Sequence, residues 1–564
     1  MQNYSFSLGG DNQIGKWQLN YLVFLSNSRN NSNQGRTYDF RSGALSVEID
    51  DFYTDFANIV APGIDIHDPF IINSFRDYVD NEDIIKGQNI SAKINAALPF
   101  DWNGNNGLFK FGGKYRVMSN SRERIFREFN FINDGSVNTQ SLFTALMSDE
   151  EDQQFLLNRV RFGPTLDGEK TDAFIASNPQ LFQFDETNSR TQALPQFYDA
   201  QEEVLASYVM SRIQFNRVML LGGFRYERTV VDYAANTFRT DGENIINETL
   251  SRVKGTRTFD FYLPNIHLRY SLDELTNIRA ALTWSFARSN FADLAPTQAI
   301  SIRDVPENPN DPTQIPVGNI DEGNAALLPA RALNADLLFE KYFENVGIIS
   351  GGLFYKRIND FNFTRQFTEQ RIVPYTNILG ESVVGPVNFN IEQPQNGDVA
   401  HLYGAEINLQ AQLDFLPGLF SGLGVYTNYT YTHSSASTFE RKGIRLPGQA
   451  THTANAALSY EYKGFSGRVA LNFNGGVIRS LGPDQVTLSD GRQVFTRGAM
   501  DTWRADRYQV DVQVSYSIWK NLRVYAEFIN LTNRAELEYF GERSRPSNIE
   551  FFDWWNRFGI SYSL

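Results

Sequence analysis

Ile90-Ser91-Ala92-Lys93-Ile94-Asn95-Ala96-Ala97-Leu98-Pro99-Phe100 is the stretch that decides the fold. Successive side chains of a strand point to opposite faces. Ile90, Ala92, Ile94, Ala96, Leu98 and Phe100 therefore share one face, and Ser91, Lys93 and Asn95 the other. One side is apolar and the other is wet. The pattern returns in Ile278–Phe286, with Ile278, Ala280, Leu282, Trp284 and Phe286 opposite Arg279, Thr283 and Ser285. It returns again in Tyr403–Leu413 and Tyr508–Ile518, and the chain closes on Phe558, Ile560, Tyr562 and Leu564.

About 17 such segments are legible, most of them ~10 to 16 residues long, against the ~9–11 residues a tilted strand needs to cross a membrane. They begin near Tyr4, Gly15, Asp83, Gly107, Glu203, Val218, Arg257, Asn277, Ala332, Val346, His401, Gly422, Thr451, Phe465, Arg504, Leu522 and Phe551. No run approaches the ~18 consecutive apolar residues of a membrane helix, a test that says nothing of barrels, where only alternate residues meet lipid.

The connections between segments alternate strictly in length. Asn12–Ile14, Asp101–Asn106, Asn216–Arg217, Leu272–Thr276, Glu344–Asn345, Phe415–Leu419, Lys463–Gly464 and Lys520–Asn521 are short. Arg29–Asn81, Asn130–Gln201, Ala234–Gly255, Asn290–Pro329, Gln366–Val399, Ser435–Gln449, Arg479–Thr502 and Glu542–Ile549 are long. Tight turns at one membrane surface and long loops at the other are the design of an outer-membrane barrel. Trp17, Trp102 and Trp519 sit beside short turns, and Trp503, Trp554 and Trp555 at the long-loop ends, as two interfacial belts require.

Composition narrows the function. The formal net charge is −14, so there is no basic footprint for nucleic acid. Cysteine is absent, which removes any disulfide framework or thiol nucleophile and suits an oxidising compartment. His67, His267, His401, His433 and His452 are well separated, and none has the spacing of a zinc motif. No catalytic constellation and no cofactor motif appears. Asp65-Ile66-His67-Asp68 and Asp321-Glu322 could ligate a cation, but they lack the ligand number and spacing of a calcium loop and read as solvated acidic loops. Glu150-Glu151-Asp152 reads as a solvated loop face. Gly222-Gly223 and Gly351-Gly352 lie within strands, which speaks against a phosphate cradle. Asn265, His267 and Arg269 share one strand face that should line a lumen. They are either substrate-channel residues or ordinary polar lining.

From Leu328 onward the text resembles the TonB-dependent outer-membrane receptors, particularly those of Bacteroidetes-type bacteria. Leu328-Pro329-Ala330-Arg331-Ala332-Leu333-Asn334-Ala335-Asp336-Leu337 is similar to the family's "L-K-P-x-x-S-x-N-x-D-L" strand start, and Tyr403-Gly404-Ala405-Glu406-Ile407 to its "x-G-x-E-x". Asn530-Leu531-Thr532-Asn533-Arg534 resembles the "N-L-T-N-R" of the penultimate strand. Leu564 stands where such barrels usually end in Phe.

The resemblance implies an all-β, transmembrane antiparallel up-and-down barrel, incomplete at about 17 of an expected 22 strands. The first strand, read from the loop sorting, runs downward from outside, and bacterial single-chain barrels have even counts. Residues 1–564 are thus expected to be the C-terminal barrel portion, lacking the plug domain, the TonB-contacting segment and a signal peptide. The implied function is energy-coupled nutrient uptake, with outer-membrane lipid, the TonB complex (through the missing N-terminal part), a surface lipoprotein and a small-molecule or oligomeric nutrient as partners. A passive porin-like channel and a soluble multi-domain β surface-binding protein are the rival readings.

Overall fold

The computed structural model describes residues 2–50, 58–148, 164–241, 244–304, 315–344, 346–377, 381–487 and 493–563. Glu150-Glu151-Asp152 and Leu564 lie outside them.

One antiparallel ladder organises the chain. Its strands, in order, are β1 (Gln2–Ile14), β2 (Trp17–Ser42), β3 (Ile72–Trp102), β4 (Asn105–Phe131), β5 (Tyr198–Phe215) and β6 (Val218–Asp241). Then come β7 (Asn244–Ser271), β8 (Thr276–Ala287), β9 (Ala330–Phe343), β10 (Gly347–Asn359), β11 (Val399–Gln412) and β12 (Leu423–Ser437). The ladder ends with β13 (His452–Tyr462), β14 (Phe465–Asn474), β15 (Arg507–Trp519), β16 (Leu522–Ile529) and β17 (Trp555–Tyr562). Each pairs with its successor, as in Ile14↔Trp17 for β1–β2 and Val524↔Ile560 for β16–β17. Among the described residues β1 pairs only with β2, and β17 only with β16.

Directly opposed residues of an antiparallel pair share a face, so register carries each face from strand to strand. One row runs Ile407↔Tyr429↔Ala454↔Phe473↔Tyr508, and the next residue along gives Asn408↔Asn428↔Asn455↔Asn472↔Gln509. A slip of one residue would exchange these faces completely. The apolar face is open: Ile94 is 58% exposed, Leu353 61% and Ile560 73%. On the other face polar side chains bond to each other. Asn455 Nδ2 donates to Asn428 Oδ1 (2.9 Å), Asn95 Nδ2 to Asn20 Oδ1 (3.0 Å), and the Tyr208 hydroxyl to Asn95 Oδ1 (2.8 Å).

The short turns follow from local chemistry. Asn103-Gly104 and Lys463-Gly464 take positive φ at both central residues (53° and 80°; 45° and 84°), which matches the right-handed twist of the flanking strands. The first turn is Gly15-Lys16 rather than the predicted Asn12–Ile14, because Gly15 supplies the left-handed φ of 59°.

Several cross-strand pairs set an aromatic ring directly against a glycine, among them Phe100↔Gly107, Tyr233↔Gly255, Phe354↔Gly404 and Tyr525↔Gly559. A Cβ on Gly404 would lie 2.1 Å from Tyr431 O and 2.5 Å from Phe354 Cζ. Gly404→Ala is therefore expected to destabilise by about 1–3 kcal/mol through overpacking. The measurement is the urea midpoint, which should fall without a change in slope.

The long connections are more regular than their sequence suggests. Arg29–Asn81 and Ala234–Gly255 are largely continuations of the ladder, paired up to Ser42↔Ile72 and Asp241↔Asn244. Gln366–Val399 is mostly a hairpin, Asn362–Thr376 against Ser382–Asn396. Loop Asn290–Pro329 contains a second hairpin, Gln298–Asp304 against Val317–Glu322. This second hairpin joins the top of β6 in parallel (Ile300↔Arg239), and its other strand joins Ser382–Asn396 in parallel (Ile320↔Ile391). The cap so formed has a core of Ile300, Ile302, Ile320, Val373, Val387, Phe389 and Ile391. Among the described residues the largest fully buried apolar side chains, Phe389, Leu181, Ile320, Leu327, Ile391 and Val387, all lie outside the ladder. The molecule thus packs its apolar cores among the long loops and the strand ends beneath them, and shows apolar surface on the wall. Trp503, expected in a lipid belt, instead stacks on Tyr539 in a small outer sheet and packs against Ile478 and Leu481.

Among the described residues, three short α-helices stand between β4 and β5: α1 (Thr139–Leu146), α2 (Gly168–Ser177) and α3 (Glu186–Ala193). Asp167 and Asp185 cap the latter two, accepting from Lys170 N (3.0 Å) and Asn188 N (2.8 Å). This lobe packs on the upper parts of β3 and β4, where Asp77 and Glu128 are buried. Burial raises the pKa of Asp77, aided by the charge of Asp39 and opposed by Arg76. Burial also raises that of Glu128, aided by Asp77 and opposed by the Asn188 hydrogen bond. Folding therefore takes up protons at both sites. Their contribution is present below the raised pKa values and lost as pH climbs through them. Corrected for the base-catalysed rise of intrinsic exchange with pH, the amide protection factors of the lobe at 164–197 should fall as pH rises, and Asp77→Asn should flatten that fall.

Candidate functional site

The polar face between β3 and β8 concentrates ionised groups. Its rows, read by register, are Ser91↔Arg116↔Val204↔Thr229, Lys93↔Lys114↔Ala206↔Glu227 and Asn95↔Gly112↔Tyr208↔Arg225. Below them run Ala97↔Lys110↔Met210↔Gly223↔Asn265 and Leu108↔Arg212↔Leu221↔His267. Gly112 has no side chain, and a Cβ there would meet Asn95 Oδ1 at 2.5 Å. That gap is what lets Asn95 and Tyr208 bond across the strand.

At the upper end two buried carboxylates are shared among three arginines. Glu202 and Glu227 are 3% and 5% exposed. Arg116 pairs with Glu202, and Arg225 with Glu227. Arg288, at the root of the loop after β8, reaches both: Nε lies 3.1 Å from Glu202 Oε2, and Nη2 bonds Glu227 Oε1 and Thr229 Oγ1 (3.2 Å). The Arg288 guanidinium also lies 4.9 Å from the centroid of the Phe286 ring. The network ties the cap's root to the wall. Lower down, Arg279 pairs with Glu340 at 2.8 Å.

Asn265, His267 and Arg269 lie on this polar face, with Ile266, Leu268 and Tyr270 between them pointing to the exposed apolar face. Asn265 Nδ2 donates to Leu263 O (3.3 Å) and Arg269 Nη2 to Gln214 Oε1 (3.2 Å). The denser charge cluster lies beside them on β3–β6. The sequence signal for it is Lys93, singled out on its strand's wet face; its partners could not be read.

The acidic loop pairs are used locally. Asp65 Oδ1 accepts from His67 N (2.9 Å) and Asp68 Oδ1 from Phe70 N (3.0 Å). Glu322, expected to be solvated, is buried: it accepts from Gln298 Nε2 (2.8 Å) and Gln393 Nε2 (2.9 Å) and pairs with Arg371 at 3.5 Å. Among the described residues no group of three or more candidate ligands could hold a metal ion. The histidines are less scattered than their numbers suggest. His401, His433 and His452 lie on β11, β12 and β13, each against a tyrosine of the apolar face. The Tyr355 hydroxyl lies 2.8 Å from His401 Nδ1 and that of Tyr429 2.7 Å from His452 Nδ1. The Tyr403 and His433 rings are 5.0 Å apart.

A ladder with one face apolar and open, the other polar and ion-paired, and its loops sorted to opposite ends defines the wall of an outer-membrane-type β-barrel. Comparison with known proteins agrees. The model of the TonB dependent receptor-like β-barrel family matches residues 8–531, and the chain belongs to that family.

No curated protein matches it by sequence. Similar solved structures include the ferric citrate transporter FecA in its unliganded form (10% identity, TM-score 0.53). The siderophore receptor PiuA from Acinetobacter baumannii (11%, 0.53) and the copper transporter OprC (13%, 0.52) are also similar. The alignments cover 99%, 99% and 100% of this chain but 61%, 64% and 65% of those structures. The chain thus spans less than two thirds of their length. At such identities the likeness is one of fold.

Proposed function

We propose that this chain is the barrel wall of a receptor in the Gram-negative outer membrane that imports a scarce nutrient using energy delivered by the TonB complex. The observation that carries the reading is the family match over nearly the whole ladder, joined to a wall whose apolar face is open and whose polar face is lined with paired charges. The neighbours described as a transporter of ferric citrate, a siderophore receptor and a copper transporter support it.

In this reading the capped loops and the β3–β8 wall meet the substrate, while strands that close the barrel, a luminal plug and the TonB-contacting segment come from outside residues 1–564. The unpaired edges of β1 and β17 support that division. A surface lipoprotein is a further partner in this proposal. No residue is assigned a catalytic role. The test is accumulation of labelled ferric chelates, cobalamin, oligosaccharides and peptides by cells carrying the full-length receptor, with TonB present or deleted. Uptake of one class that vanishes without TonB is expected; uptake indifferent to TonB would make the protein a passive channel.

A further inference from the structure

The cations of the β3–β6 wall divide into two sets. Arg116, Arg225 and Arg288 are held by Glu202 and Glu227. Lys93, Lys110, Lys114 and Arg212 face the same side, and among the described residues none of them has a carboxylate partner. Lys93 and Lys114 are directly opposed across the β3–β4 ladder. Like charges in that position repel and weaken the pair they belong to. Glu227, next but one along the row from Lys114, is already engaged by Arg225 and Arg288.

We infer that Lys93 and Lys114, with Lys110 and Arg212 below them, form a luminal binding site for a multivalent oxyanion, a solute bearing several carboxylates or phosphates. The inference rests on the importer reading and names its substrate class. The division of labour between cation types, to which Arg212 is the exception, supports a solute. Arginine's planar fork is suited to fixed, bidentate pairing, and here the arginines near the loop root are so used. Lysine is a hydrated point charge on a flexible stem, suited to a passing ligand that must also be released. The arrangement also provides a path. Arg116 and Arg288 lie at the long-loop end, and cations continue down the wall: Lys93 and Lys114, the paired Arg225 one row below them, then Lys110, then Arg212. A low-dielectric wall of one sign raises the local concentration of the opposite ion.

The experiment uses the full-length receptor purified in detergent and titrated calorimetrically with citrate, inorganic pyrophosphate and uncharged raffinose, at low and at physiological salt. Citrate and pyrophosphate should bind with affinities that fall as salt rises, and raffinose should not bind. Lys93→Gln with Lys114→Gln should weaken citrate by about tenfold or more, as loss of two charge-assisted contacts implies. Lys93→Arg with Lys114→Arg should retain binding, and this conservative pair reports on folding.

Equal citrate affinity in the Gln pair, or no anion binding by the wild type, overturns the site. So does a zero-length carboxyl-to-amine crosslink joining Lys93 or Lys114 to an acidic residue elsewhere in the full chain, since protein carboxylates would then be their partners. The importer reading is scored separately, by whether accumulation in cells depends on TonB, and it stands or falls whatever the titration shows.

Discussion

Residues 1–564 produced by themselves are expected to give no heat-modifiable barrel and no uptake, whereas the longer receptor proposed above should give both. The reason lies at two strand edges. β1 offers 13 residues and β17 offers 8, each strand paired on one side only among the described residues. Alternate residues of an edge strand direct N–H and C=O groups outward. Hydrocarbon cannot satisfy them, and each such group costs several kcal/mol there. A handful of unsatisfied groups exceeds the ~5–15 kcal/mol that holds an ordinary domain together. The check is semi-native gel mobility before and after boiling, with uptake measured on the same cells. A folded, heat-shifted band from residues 1–564 alone would show that β1 and β17 close on each other or on a second copy, and the expectation would be wrong.

Glu202→Gln should be the most damaging single change on the polar face. It leaves Arg116 without its carboxylate and Arg288 with Glu227 alone, and Glu202 is almost fully enclosed. Breaking a buried pair from one side typically costs about 3–5 kcal/mol because the remaining charge is stranded. The arginine side chains are 22% and 27% exposed, so water recovers part of that, and about 2–3 kcal/mol is expected. The urea midpoint of the full-length protein reports it. Arg116→Met in the Glu202→Gln background should restore part of the loss, since it removes the stranded cation. A midpoint unchanged by Glu202→Gln would mean that the network is solvated and unimportant for stability.

The wall was legible in the sequence because lipid on one face and water on the other force a period of two, and Ile90–Phe100 carries that period plainly. Where strands rise past the lipid, both faces meet water, and the contrast fades. Asn244–Gly255 reads as loop for that reason, although its backbone pairs with β6 on either side of an irregularity between Ile246 and Ser251. Val387-Asn388-Phe389-Asn390-Ile391 does alternate. Its apolar set faces the cap's core rather than lipid, so a search confined to membrane-length strands passed over it. Asn265, His267 and Arg269 could be placed on a face from local spacing alone. The Glu202 network could not, since Arg116 and Glu202 are 86 residues apart and Arg288 and Glu227 are 61 apart. No local pattern encodes a meeting that only the completed register creates.

The same register sets an order of assembly. Every wall strand pairs with its neighbour in sequence, so the wall grows by zipping from one hairpin to the next. The outer cap cannot form that way. Ile300 must find Arg239 and Ile320 must find Ile391, and such distant pairings wait on the segments between them. The cap is therefore the last part to form and the first to open. A protease added during refolding should cut between residues 298 and 322 well after the wall strands have become resistant.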